Sequence, residues 1–119
     1  MRLPEHQQIG IDIVKIERFR KKKIFENQSF YEKIFTKSEI SYCKRFIDPY
    51  PHFAGKFALK EAVQKSINEN LVFNKIETFH SNSRPKIKLE NSKEKYEFTT
   101  SISHENEYAI AIALSKKEN

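Results

Sequence analysis

The run "HFAGKFALKEAVQKSI", His52 to Ile67, constrains the fold more than any other stretch of this chain. Drawn as a helix at about 100° per residue, it sets Phe53, Ala54, Phe57, Ala58 and Ala62 in one continuous apolar stripe. Such a helix faces a core. One residue disagrees. Glu61 falls inside the stripe, between Phe57 and Ala54, with Lys65 one turn further on. A buried carboxylate without a partner is costly. Two explanations compete: an i, i+4 pair with Lys65 on a partly exposed flank, or a ligand role at a packed interface.

The flanking segments are read by their period. "QQIGIDIVKI" alternates, with Ile9, Ile11 and Ile13 on one face and Gly10, Asp12 and Val14 on the other, which predicts a strand. "VKIERFRKKKIF" predicts a basic helix that gathers Lys15, Arg18, Arg20, Lys21, Lys22 and Lys23. Two capping boxes follow: Ser29 with Glu32 opens a short helix through Phe35, and Thr36 with Glu39 opens another to about Phe46. Asp48 caps the longest helix, Pro49 occupies its first turn, and it ends near Ile67.

After "NEN" the period becomes that of strands. "LVFNKIETF" and "PKIKL" are joined by a turn at "SNSR", and a second turn lies around Lys93. "YEFTTSIS" and "EYAIAIAL" pair as a hairpin across "HENE", and "KKEN" reads as a frayed end. The order is an N-terminal strand, several helices including one long central helix, then an antiparallel sheet: an α+β fold. With 119 residues, the chain suits a single domain over 1–119.

Lys and Arg outnumber Asp and Glu by 22 to 16, so the formal charge is +6 and an anionic partner is expected. Cys43 is the only cysteine, which excludes an intrachain disulfide and a thiolate metal cluster. No apolar run approaches the roughly 20 residues of a membrane span. "MRLPEHQQ" lacks the apolar core of a signal peptide, so a reducing cytoplasm is the expected location.

The chemistry starts from two carboxylates. Asp12 in a strand and Glu61 in a helix both face packed surfaces, and together they could share a hard cation. Magnesium takes one or two carboxylates plus waters and substrate phosphates. Lys56, Lys60 and Lys65 on the same helix suit a phosphate ligand. His104, in "SISHENE", is a loop histidine that could donate to a phosphate. His6, His52 and His80 show no metal-ligand spacing, and no GxxxxGKS/T, GxGxxG or GxSxG signature occurs.

Three segments, "IGIDIVKIERF", "FAGKFALKEAVQKSI" and "SISHENEYAIAIAL", occur in an order that resembles holo-acyl-carrier-protein synthase, the small type of 4′-phosphopantetheinyl transferase. "SRPK" stands where that family commonly has a GKP turn. The resemblance implies transfer of 4′-phosphopantetheine from coenzyme A to a serine of apo-acyl carrier protein, with release of adenosine 3′,5′-bisphosphate. It assigns Asp12 and Glu61 to magnesium, and Lys56, Lys60, Lys65 and His104 to coenzyme A. Asp12, Glu61 and Lys65 become the catalytic set, and Arg18 the contact to the acidic carrier. Whether Glu61 or a metal-bound water takes the serine proton stays open. The resemblance also implies a homotrimer with sites between subunits, in fatty acid biosynthesis, with no nucleic acid or membrane as partner.

The chain departs from the family pattern twice. "SINENLVF" follows the helix with no G-T-G loop, and "ENSKEKYEF" leaves no room for a further helix before the last hairpin. Two other readings compete. A basic nucleic-acid-binding module has the charge and "RFRKKK" in its favour but no recognised motif. An inactive carrier-binding relative would not need both carboxylates.

Overall fold

The computed structural model describes residues 3–118, so Met1, Arg2 and Asn119, the ends of the first and last runs read above, lie outside it. Five strands and four helices follow one another as β1 (Gln7–Lys15), α1 (Glu17–Arg20), α2 (Gln28–Ile34), α3 (Lys37–Lys44), α4 (Tyr50–Ser66), β2 (Ile76–Ser81), β3 (Arg84–Leu89), β4 (Tyr96–His104) and β5 (Tyr108–Lys117). The α+β order expected from the sequence is the order observed. The pairing adds what the order left unstated. β1 lies antiparallel to β5, which pairs with β4, while β2 and β3 form a separate hairpin.

α4 lies across the three-stranded sheet. Every residue from Phe53 to Lys60 is buried, so this helix is covered on all sides, not on one stripe. Gly10 allows β1 to approach it: a Cβ there would overlap the carbonyl oxygen of Ala62 and stand 3.0 Å from the Lys65 Cβ. Gly10 and Val14 are buried against the helix, whereas Ile9, Ile11 and Ile13 are 53%, 54% and 60% exposed. The more apolar face of β1 therefore points outward.

On the other flank α4 meets an aromatic cluster. Phe19 packs edge-on against Phe57 at 5.5 Å, and Phe53 lies 4.7 Å from Tyr31 and 5.0 Å from Phe35. Burying each such ring contributes about 1.5–3 kcal/mol. The Tyr31 hydroxyl donates to the carbonyls of Phe19 and Lys22 at the C-terminal end of α1.

Four local expectations need correction. The basic helix is one turn long, because crowded like charges weaken its continuation and Tyr31 donates to the Lys22 carbonyl just beyond it. α2 starts at Gln28, with Asn27 as a cap whose side chain donates back to the Lys23 carbonyl and not into the helix, so Ser29 lies inside the helix. Packing of Tyr31 and Phe35 sets that register. "LVFNKIETF" is not wholly extended: Phe73–Lys75 is a 3-10 turn, whose Phe73 carbonyl accepts from the Ile76 amide and from Lys60. β5 runs through Lys117, so that end is paired, not frayed.

The Thr36–Glu39 box forms as expected, and Asp48 accepts from the Tyr50 amide at 3.3 Å ahead of α4. The β2–β3 turn uses Asn82 and Ser83 at φ 53° and 63°, the left-handed conformation that tight hairpins need.

Candidate active site

Residues four apart on a helix lie one above another. Phe53, Phe57, Glu61 and Lys65 form such a row on α4, running from the aromatic cluster to the edge of β1. Lys65 Nζ donates to the Ile11 carbonyl and to Asp12 Oδ1, each at 3.0 Å. Asp12 is half-buried, on the face of β1 turned toward α4. Glu61 is also half-buried. Among the described residues it enters none of the ion pairs, including none with Lys65. The close approach at Gly10 thus brings Asp12 to Lys65, with Glu61 one turn of α4 before that pair. Glu61 lies where the apolar row gives way to this polar edge.

Arg18 meets this row at Phe57. Its guanidinium lies 4.8 Å from the centre of the Phe57 ring, one turn before Glu61. It belongs to a cleft of about 740 Å³ that also includes Lys15, Arg20, Lys21 and Lys22, with Glu17 and Glu107 as the acidic members.

Lys56 and Lys60 are placed differently from the expectation. Lys60 is wholly buried, with its ammonium bonded to Glu39 Oε1 at 2.6 Å and to the carbonyls of Phe73 and Ile76 at 2.8 and 2.6 Å. An ammonium has three N–H donors, and all three are committed. Lys60 therefore has no N–H left over for a phosphate; its ammonium sits in the space between α3, α4 and β2. Burial lowers its pKa, and Glu39 opposes the shift. Lys56 donates to the carbonyl and hydroxyl of Thr78 at 2.9 and 3.0 Å. Two of its donors are committed, and it reaches a ligand chiefly through its charge.

Sequence reasoning missed Glu39 as the hub of this network. Beyond the capping box, its Oε2 accepts from the Thr78 amide and hydroxyl at 2.7 and 2.6 Å. No local pattern announces a bond across 39 residues of chain.

His104 lies at the end of β4, and its ring meets that of His52 at 5.6 Å. A cleft of about 180 Å³ joins them to Lys56, His80, Tyr42 and Ile102. His52 and His80 were also missed; the only signal was that His52 precedes Lys56 by one helical turn. No group of three or more His, Cys, Asp or Glu among the described residues is arranged to hold a metal ion. Asp12 and Glu61 alone would leave most positions of a cation to water and substrate.

The family model of the 4′-phosphopantetheinyl transferase superfamily matches residues 8–113. A holo-[acyl-carrier-protein] synthase of Chlamydia felis is 42% identical over 115 residues, spanning 90% of this chain and 94% of that protein. The same enzyme of Thermodesulfovibrio yellowstonii is 40% identical over 111 residues, spanning 89% and 95%. Among solved structures, the Helicobacter pylori synthase in complex with coenzyme A has a TM-score of 0.77 at 36% identity, covering 91% of this chain and 99% of that one. The Bacillus anthracis synthase in complex with CoA (3′,5′-ADP) has a TM-score of 0.79 at 27% identity, covering 93% and 96%. The chain belongs to the 4′-phosphopantetheinyl transferase superfamily, a class of transferase enzymes, and within it to the holo-[acyl-carrier-protein] synthases.

Proposed function

We propose that this chain transfers 4′-phosphopantetheine from coenzyme A to a serine of an apo-acyl carrier protein, and that it works in fatty acid biosynthesis. The observation that carries the reading is the junction of Asp12, Glu61 and Lys65, at positions that match the family's strand and helix motifs. In the reaction the serine oxygen bonds to the phosphorus next to pantetheine. The bond from that phosphorus to the bridging oxygen breaks, and adenosine 3′,5′-bisphosphate leaves.

The donor set fits magnesium: two carboxylates supply hard oxygen ligands, and a pyrophosphate would complete them. When bound, magnesium neutralises charge on the pyrophosphate oxygens. The remaining work belongs to the side chains. Lys65, which Asp12 and the Ile11 carbonyl hold in place, presents a cation to a donor phosphate. Arg18 and its basic neighbours steer and seat the acidic carrier. This cleft gathers much of the "RFRKKK" charge that otherwise suggested nucleic acid.

A homotrimer is part of the same reading. Ile11 sits beside Ile112, and Ile13 beside Ile110, on the sheet face opposite α4. Ile9 joins them, and all five isoleucines are exposed. A soluble monomer seldom leaves so continuous an apolar patch uncovered. Ile13 and Ile110 also line a cleft with His104, which would put part of the site at the subunit boundary. No described helix is long and apolar enough to cross a membrane, and Cys43 is a buried free thiol. A reducing cytoplasm is the proposed location.

The test is the intact mass of apo-acyl carrier protein after incubation with this protein, coenzyme A and magnesium. A gain of one phosphopantetheine, abolished by EDTA and restored by magnesium, is the expected result. No gain with several carriers would leave an inactive carrier-binding relative.

A further inference from the structure

The two segments that depart from the family pattern meet in the structure. "SINENLVF" leaves the end of α4, and "ENSKEKYEF" leads from β3 into β4. Glu69, from the first, turns its carboxylate onto the second. Its Oε1 accepts from the Lys93 amide at 2.8 Å. Its Oε2 accepts from the Ser92 hydroxyl at 2.7 Å, the Tyr96 hydroxyl at 3.0 Å and the Glu94 amide at 3.2 Å. One side chain thus gathers donors that stand 23 to 27 positions away along the chain.

These bonds lie close to Lys65, in the last turn of α4. The helix ends at Ser66 without a glycine: Ile67 leaves it in an extended conformation, with φ −124° and ψ 161°. A left-handed glycine closes a last turn with backbone bonds alone. Here side chains do it. Gln64 brackets the exit, since its carboxamide donates to the Glu69 carbonyl and accepts from the Leu71 amide at 2.9 Å. The Ser115 hydroxyl of β5 donates to the Ser66 carbonyl at 2.5 Å. Lys65 stands between Gln64 and Ser66, so the residues on both sides of it are tied down. From that turn its ammonium reaches Asp12 and the Ile11 carbonyl.

Resting on the transfer reading above, we propose that Glu69 is a positioning residue. By joining the two segments it fixes the last turn of α4, and with it the place from which Lys65 presents its ammonium to the donor. The two departures from the family pattern are then one device: a carboxylate and the turn that receives it do the work of a glycine loop. Glu69 acts through Lys65 and not on the donor, because both of its oxygens are taken up by donors of the protein.

Calorimetric titration with coenzyme A in the presence of magnesium reads the effect. Glu69→Gln sets an amide N–H against the N–H and O–H groups that the carboxylate gathers, and so opens the joint. It should weaken coenzyme A binding roughly tenfold, about the worth of one hydrogen bond to a charged group. Lys65→Ala should weaken it at least as much. The double variant decides: once Lys65 is replaced by Ala, Glu69→Gln should have no further effect. The KM for the carrier should be the same in Glu69→Gln as in the unaltered protein. Glu69 lies by Gln8 at the start of β1, and the Arg18 cleft by Lys15 at its end.

Equal weakening by Glu69→Gln with and without the Lys65 side chain overturns the proposal while coenzyme A binding stands. So does full affinity in Glu69→Gln or in Lys65→Ala. If Glu69→Gln lacks a cooperative melt, Tyr96→Phe removes one donor and is put through the same cycle, where a smaller loss that vanishes without Lys65 is expected. Absence of coenzyme A binding by the unaltered protein overturns the transfer reading, and this inference with it.

Discussion

Two lysines five residues apart on α4, Lys60 and Lys65, differ in what they can do, and the difference is a matter of partners. Lys60 is sealed in with Glu39, so Lys60→Met should leave a buried carboxylate unpaired and cost about 3–5 kcal/mol. Lys65 is half-exposed, and its pair with Asp12 is worth at most about 1 kcal/mol. Lys65→Ala, Asp12→Ala and Glu61→Ala should therefore keep urea midpoints close to that of the unaltered protein. Asp12→Ala and Glu61→Ala should each lose most of the transfer seen by carrier mass. Full activity in either would remove the two-carboxylate site.

His52 and His80 give the free protein a pH signature. Their folded pKa values lie below the unfolded value of about 6.5. Below that value the unfolded chain binds more protons than the folded one. Their contribution is complete above about pH 6.5 and is lost as pH falls through the folded values. Urea midpoints should drop between pH 7.5 and pH 5.5, and the double variant His52→Gln, His80→Gln should drop less. The hydrogen-bonded carboxylates Asp48, Glu69 and Glu77, whose pKa values are lowered, act in a separate window below about pH 4.5.

At the scale of elements, the site depends on how closely β1 approaches α4. A methyl group at Gly10 would collide with backbone, the Ala62 carbonyl, which cannot turn aside. Gly55 faces only the Ile102 Cγ2 at 3.2 Å, a side-chain atom that can rotate away. Gly10→Ala should cost about 1–3 kcal/mol through overpacking and lower transfer by displacing Asp12 from Lys65. Gly55→Ala should cost less, and thermal melts with carrier assays on both variants check the contrast. The hairpin β2–β3 illustrates a second kind of attachment. It shares no strand pairing with the main sheet and is fastened to α3 and α4 by Glu39, Lys56 and Lys60.

For the whole molecule, the outward isoleucines of β1 and β5 set the expected behaviour. Ile11→Glu places a charge in the middle of that face and should convert a trimer to monomers, read by sedimentation. It should also reduce transfer if His104 works at the subunit boundary. A protein already monomeric at micromolar concentration would remove the trimer. The basic cleft adds a salt effect: turnover at low carrier concentration should fall as ionic strength rises, since screening shortens the reach of Arg18 and its neighbours.

Much of this was legible in the chain itself. The switch between helical and strand periods determined the element order, since local burial patterns follow that period. The misfit of Glu61 in an apolar row, with Asp12 in a strand, marked the carboxylate positions before any geometry was known. Tertiary structure decided what depends on distant partners. Lys56 and Lys60 read as surface cations because nothing local shows that Glu39 and Thr78 enclose them. His52 and His80 look isolated along the chain, and only the packing of β2 and β4 around α4 brings them to His104. The alternation of β1 does not say which face is covered; the Gly10 approach decides that, because only the face lacking a Cβ at that point can meet the helix.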